Sequence, residues 1–248
     1  MKPLFPPPST SEVRHILAPY FEMALDVPEL LVSIPSTIHS GGTDWPVVKT
    51  VLRPTGEVRR RLLVVAGLSP YDRGSTDAVF HATLRLLQAP ANHYHTELVA
   101  FPLADPLAWA AGAPAAEEEV RAILSRELAT ERYDGLLVLH DDPTTGGLSF
   151  RLSPEEASLY LAADILQLAG FPPPVIDLQH HSGNGGRLAP LETGDLNARG
   201  ANEGSSIVLH ALLPAIQGRA ACAKLGAELI LDVLQHFGAL EEMWRKQA

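Results

Sequence analysis

The sequence predicts one α/β domain, built on a mixed, mostly parallel β-sheet with helices on both faces. Three observations lead there. After a leading pair of strand-like segments, apolar strand segments alternate with helical ones, the order that builds parallel sheets through crossover helices. Two of the strand segments, residues 62–66 and 133–140, are almost continuously apolar, as strands buried on both faces are. The 248 residues, 46% of them hydrophobic, show neither an internal repeat nor a linker-like stretch. One core is therefore expected, at a length common for a single α/β unit.

The elements follow in order. A proline-rich arm opens the chain, and Ser9-Thr10-Ser11-Glu12 offers N-cap chemistry for a helix running to about Ala24. Residues 30–43 read as irregular. Together, residues 1–44 read as an arm and helix packed on the domain, and 45–248 as the domain itself. Segments 47–52 and 60–66 read as a hairpin around Pro54-Thr55-Gly56. Helices are expected over 75–87, 115–129, 154–168 and 218–237, the second with acidic residues at its start, where the helix dipole favours them. Strands are expected over 95–101, 133–140, 175–179 and 206–211. A long loop, 181–204, is opened by Gly183, Gly185 and Gly186.

Composition excludes several classes of function. The net charge is −10, which argues against nucleic acid and against an anionic membrane as partners. The short basic run Arg59-Arg60-Arg61 reads as a solvated strand edge. The single cysteine, Cys222, lies between Ala221 and Ala223 in a helical pattern and reads as a small core residue; one cysteine forms no internal disulfide. The N-terminal segment lacks the apolar run of a signal peptide, and no apolar stretch is long enough to cross a bilayer. A cytoplasmic protein is expected, with a small molecule or peptide as its partner.

Ligands of open α/β sheets gather where strands end and the chain turns into a helix. One such place is "LLVVAGLSPYDRG", where Ser69 and Asp72 stand three residues apart with Pro70 between them. A second is "YDGLLVLHDDPTTGG", where His140, Asp141 and Asp142 end a buried strand. A histidine held there by its strand and open to a loop suits metal ligation; an Asp-Asp-Pro turn with a hydrogen-bonded histidine suits the same residues. A third is "VIDLQHHSGNGG", with His180 and His181. Adjacent residues of an extended chain point oppositely, so at most one of that pair faces a site. His93 and His95 precede a strand; if that strand is parallel to its neighbours, they lie at the sheet edge opposite the site. His15, His81, His210 and His236 read as packing or surface residues.

Taken in order, these stretches resemble the zinc metallocarboxypeptidases and their succinylglutamate desuccinylase and aspartoacylase-like relatives. In that superfamily a strand ends in a turn that supplies a zinc-ligating His and Glu three residues apart. "AGLSPYDRGSTDAVFHATLRLL" holds that place here. "TELVAFPLADPLAWAAG" is similar to the family's following strand and Asn-Pro turn. "YDGLLVLHDDPTTGGLSF" resembles the segment carrying the third ligand, with His140 in the ligand place, and "SSIVLHALLPAIQGRA" resembles the strand that carries the catalytic Glu. The likeness covers roughly residues 45–237, and the fold it implies is analogy rather than proof of function.

The departures are specific. Ser69 stands where the first ligand would be, Asp72 where the Glu would be, and Leu212 where the catalytic base would be; the substrate-binding Arg has no counterpart. A catalytic zinc needs about three protein ligands and an open position for water, and hydrolysis needs a base. The resemblance therefore implies a degraded zinc site: a carboxypeptidase-like protein without the usual metallopeptidase activity, keeping a pocket around Ser69, Asp141 and Asp142. No cofactor is expected; zinc is the one the pattern allows. The alternative is a metal-dependent amide or peptide hydrolase with a rebuilt site of Asp72, His140 and His180 or His181, in which Asp141, Asp142 or Glu203 is the base. A serine hydrolase using Ser69 is disfavoured, because Pro70 lacks the N–H that an oxyanion hole takes from the residue after the nucleophile.

Overall fold

A computed structural model describes residues 10–111, 116–144, 146–152 and 207–247. The helix and strand expected over 154–168 and 175–179, the loop 181–204, and with them His180, His181 and Glu203, lie outside the described residues.

The strands are β1 (Leu30–Ser40), β2 (Thr43–Leu52), β3 (Arg60–Val65), β4 (Thr96–Phe101), β5 (Gly135–Asp142), β6 (Ser149–Leu152) and β7 (Ile207–Pro214). Among the described residues they form one sheet in the order β1-β2-β4-β3-β5-β7-β6. The centre is parallel, β3 pairing with both β4 and β5, and β5 with β7. Both flanks are antiparallel. The helices are α1 (Thr10–Asp26), α2 (Arg73–Gln88), α3 (Pro106–Ala111), α4 (Glu117–Thr130) and α5 (Arg219–Gln247).

Period-2 alternation along the central strands divides the core into two layers. Leu62, Val64, Leu137, Leu139, Leu209 and Ala211 pack against α2 and α5 through Val79, Leu86, Ile230 and Leu234. Leu63, Val65, Leu136, Val138 and Val208 face the other way, against Val13 and Leu17 of α1, Trp109 of α3 and Val120 and Leu124 of α4. The chain is thus the expected single α/β domain with helices on both faces, and segments 62–66 and 136–139 are neighbouring buried strands. No helix among the described residues is long and apolar enough to cross a membrane.

Two expectations about the leading strands were wrong. Residues 30–43 are not irregular: β1 pairs with β2 through a two-residue turn at Gly41-Gly42, with φ of 58° and 75°. Both values lie in the left-handed region that a type I′ hairpin requires and glycine adopts readily. The strand was hidden because it is an edge: its burial is irregular, and its register shifts between Ser33 and Ser36, beside Pro35. The expected hairpin of 47–52 with 60–66 does not exist, because β4 lies between β2 and β3. Both strands are apolar and need a neighbour on each side, and β4 serves both. The helix α3 and strand β6 were not anticipated. Asp105 marks the start of α3, accepting the Ala108 N–H at 2.7 Å ahead of Pro106 at the first helical position.

Candidate functional site

The parallel strands β3, β5 and β7 end at one edge of the sheet, and the turn after β3 crosses that edge. It begins at Gly67, whose φ is 65°. A Cβ there would lie 2.8 Å from the Leu103 Cα and 2.9 Å from Thr76 Oγ1, so only glycine fits. The Asp105 N–H donates to the Gly67 carbonyl at 2.9 Å, tying this turn to the one after β4. Farther on, the Asp72 N–H donates to the Ser69 carbonyl at 3.0 Å, and Ser69 Oγ accepts the Tyr71 N–H at 3.3 Å.

Asp72 immediately precedes α2, yet its side chain does not cap that helix. It turns to β5 instead. Its Oδ1 accepts the Asp141 N–H at 3.0 Å, and its Oδ2 lies 3.4 Å from His140 Nδ1. Capping comes from across the gap: the Asp141 carboxylate accepts the Gly74 N–H at 2.6 Å and the Ser75 N–H at 2.8 Å. These are orphan donors of the helix's first turn, and a carboxylate also complements the dipole there. Strand alternation explains the division of labour. His140 faces the α1, α3 and α4 layer, while Asp141 faces α2 and α5, where Cys222 Sγ contacts its Oδ1 at 3.5 Å.

Burial and the negative charge of Asp72 raise the Asp141 pKa, against the lowering effect of the Gly74 and Ser75 N–H groups. Burial, with the Asp141 charge next, also pushes the Cys222 thiol well up, so it stays protonated and packs as a core residue. Space here is tight. A Cβ on Gly74 would sit 2.5 Å from Cys222 Cβ and 3.1 Å from Asp141 Oδ2.

The structure therefore brings Asp72, His140 and Asp141 together. Ser69 shares their turn, with its hydroxyl engaged by the backbone. Asp142 is occupied by its own loop, accepting from the Thr144 N–H at 2.7 Å and the Thr144 hydroxyl at 2.6 Å. Asp72 and His140 are 1% and 8% exposed; among the described residues His140 Nε2 has no hydrogen-bond partner, and Asp72 Oδ2 has only its 3.4 Å contact with His140 Nδ1. A buried polar atom left unsatisfied costs about 1–3 kcal/mol, which singles out this pair as the candidate site. Two ligand atoms on one tetrahedral zinc stand about 3.4 Å apart, from bond lengths near 2.1 Å. The Asp72–His140 separation suits two positions of such a site. No group of three or more His, Cys, Asp or Glu able to hold a metal ion is found among the described residues, so the pair is not by itself a zinc site.

Asp141 as the cap of α2 was not anticipated; the only signal was its odd position in β5, opposite in face to His140. Arg73 was also overlooked. It follows Asp72, lies 5.7 Å from the centre of the Trp109 ring and pairs with Glu12 at 3.6 Å, joining the site's helix to α1 and α3.

This architecture is that of the metallocarboxypeptidases. A metallo-carboxypeptidase from Burkholderia cenocepacia superposes with a TM-score of 0.68 at 15% identity, over 94% of this chain and 70% of that one. A metallo-carboxypeptidase from Pseudomonas aeruginosa, solved with (2-guanidinoethylmercapto)succinic acid, gives 0.66 at 16% identity, over 95% and 70%. An aspartoacylase family protein from Mesorhizobium loti gives 0.52 at 15% identity, over 84% and 68%. At these identities the likeness establishes a shared fold. No protein-family profile matches the sequence, nor does any curated protein.

Proposed function

We propose that this chain is a metallocarboxypeptidase-fold protein that binds a small molecule or peptide at the C-terminal ends of β3, β5 and β7 without running the fold's usual peptide hydrolysis. One observation carries this reading. Leu212 stands directly opposite His140 in the β5–β7 ladder, and paired residues of a ladder share a face. The resemblance puts the catalytic base at Leu212, and a leucine side chain takes no proton. Asp72, shorter by one methylene than the glutamate it replaces, turns its Oδ2 toward His140 at 3.4 Å. The test is zinc content and dipeptide hydrolysis of untagged protein, for the wild type, the Ser69→His/Asp72→Glu double variant and the triple variant with Leu212→Glu. The wild type is expected to hold no stoichiometric zinc and show no turnover, and the double variant to gain zinc without turnover.

The second reading, a rebuilt metallohydrolase site of Asp72, His140 and His180 or His181, is favoured by the 3.4 Å Nδ1–Oδ2 separation alone. If it holds, the wild type purifies with zinc and hydrolyses amides, and His180→Ala or His181→Ala removes both. Zinc bound there would polarise a carbonyl and activate water. Asp72 and His140 would hold the ion, and the Asp141 N–H would keep Asp72 in orientation.

A further inference from the structure

Two contacts fix the direction of α1. Glu12, in its first turn, pairs with Arg73 at 3.6 Å, and Tyr20, about two turns on, meets Phe80 with ring centres 5.5 Å apart. Arg73 opens α2 at the strand-end edge, and Phe80 lies farther down that helix. α1 therefore runs alongside α2 in the same direction, with its N-terminus at the edge where β3, β5 and β7 end. Residues 1–9, outside the described residues, join α1 at that end. The same edge carries two exposed apolar side chains. Tyr71, in the turn after β3, is 63% exposed, and Ile216, just after β7, is 70% exposed. Asp72, Asp141 and Asp142 stand there too, in a chain of net charge −10, whereas the one charged side chain within 1–9 is that of Lys2.

The segment Lys2-Pro3-Leu4-Phe5-Pro6-Pro7-Pro8 suits such a surface. Its prolines preset polyproline II, so little entropy is lost on docking, and proline-rich segments bind exposed aromatic rings. Leu4 and Phe5 add apolar side chains. We propose that residues 4–8 dock back across the strand-end edge, with Phe5 and the prolines on Tyr71, as a strap over the approach to the site. The reach is sufficient. Five residues of polyproline II carry Phe5 about 15 Å from Thr10, and the Phe5 and Tyr71 side chains add their own length at either end. The Glu12–Arg73 pair already holds the start of α1 beside the residue two places after Tyr71. The docking does not depend on what the edge binds. Where the edge is the binding site proposed above, a ligand must displace the strap to enter, and that consequence alone rests on the earlier reading.

Tyr71 reports on the strap, because Tyr20 and Tyr133 are only 0% and 5% exposed. The experiment nitrates the full chain with tetranitromethane and follows Tyr71 by peptide mapping, in the wild type and in the Leu4→Ser/Phe5→Ser variant. The variant is expected to nitrate Tyr71 about tenfold faster, the factor that taking one Phe side chain partly out of water supplies. Equal rates overturn the proposal and leave the reading of the site untouched. Protection of the wild type that grows with protein concentration places the segment on a neighbouring molecule and overturns it as well. A second measurement keeps the contact instead of removing it: the photo-crosslinker p-benzoylphenylalanine in place of Phe5. Crosslinks into residues 68–73 are expected. Crosslinks confined to other surfaces, such as the exposed Leu31 and Ile34 of β1, overturn the proposal whatever the nitration rates show.

Discussion

Asp72 and Asp141 each hold the other's chain segment in place. The Asp141 N–H donates to the Asp72 carboxylate at 3.0 Å, while the Asp141 carboxylate receives the Gly74 and Ser75 N–H groups of the helix that Asp72 precedes. The site's carboxylate and the helix behind it are thus clamped to one strand end, and substitutions on either side should be felt on both.

Removing the clamp should therefore cost stability and order together. Asp141→Ala leaves buried backbone donors at Gly74 and Ser75 without acceptors, a loss of about 1–3 kcal/mol. Urea denaturation should show a lower midpoint with an unchanged slope. Asp141→Asn, which keeps one acceptor oxygen, should lose less.

The same carboxylate sets a pH dependence. Its pKa is raised in the folded protein by burial and by Asp72, so the folded state binds the proton more tightly than the unfolded state does. Stability from this group is fully present below the ordinary aspartate range and is lost as pH rises through the raised value. Measured against Asp141→Asn, the wild type should lose relative stability over that window and then level off. A relative stability that climbs with pH there would falsify the assignment.

Gly74→Ala should be among the more damaging small substitutions in α2. Its new methyl would meet Cys222 Cβ at 2.5 Å, an overpacking cost of about 1–3 kcal/mol. The companion change Cys222→Gly removes the obstructing atoms, at about 1 kcal/mol of helix propensity. Thermal unfolding of the double variant should consequently show less than the sum of the single losses.

Arg219 and Asp77 pair through two contacts, at 2.5 and 2.8 Å, between α5 and α2. The arginine side chain is about half exposed, so solvent screening limits the pair. A double-mutant cycle with Arg219→Ala and Asp77→Ala should give a coupling of about 0.5–1 kcal/mol, shrinking in high salt.

How far the sequence spoke depended on how strongly each segment was tied to local chemistry. Apolar runs such as Leu62–Val65 and Leu136–Leu139 announced buried central strands, because a strand covered on both faces has little use for polar residues. The edge strand β1 carried no such pattern; its clear signal was Gly41-Gly42, a turn signature that residue-by-residue hydropathy overlooks. The false hairpin came from judging β2 and β3 by proximity in the chain, when their pairing is decided by β4, which arrives only at Thr96–Phe101. At the site, His140 and Asp72 could be picked out by position at strand ends. The capping of α2 by Asp141 could not, since it joins residues far apart in the chain that no local pattern relates.

The insertion of β4 between β2 and β3 also shapes how the chain reaches this structure. While β4 is still unmade, β2 has β1 on one side and a bare edge on the other, and β3 has no neighbour at all. Closing the sheet must await contacts distant in sequence, and such topologies fold slowly. During synthesis the apolar stretch Leu62–Val65 leaves the ribosome well before either strand that will cover it. Until they follow, it is a ready template for a neighbouring chain, so expression yield should depend on chaperone capacity more than on the stability of the finished fold.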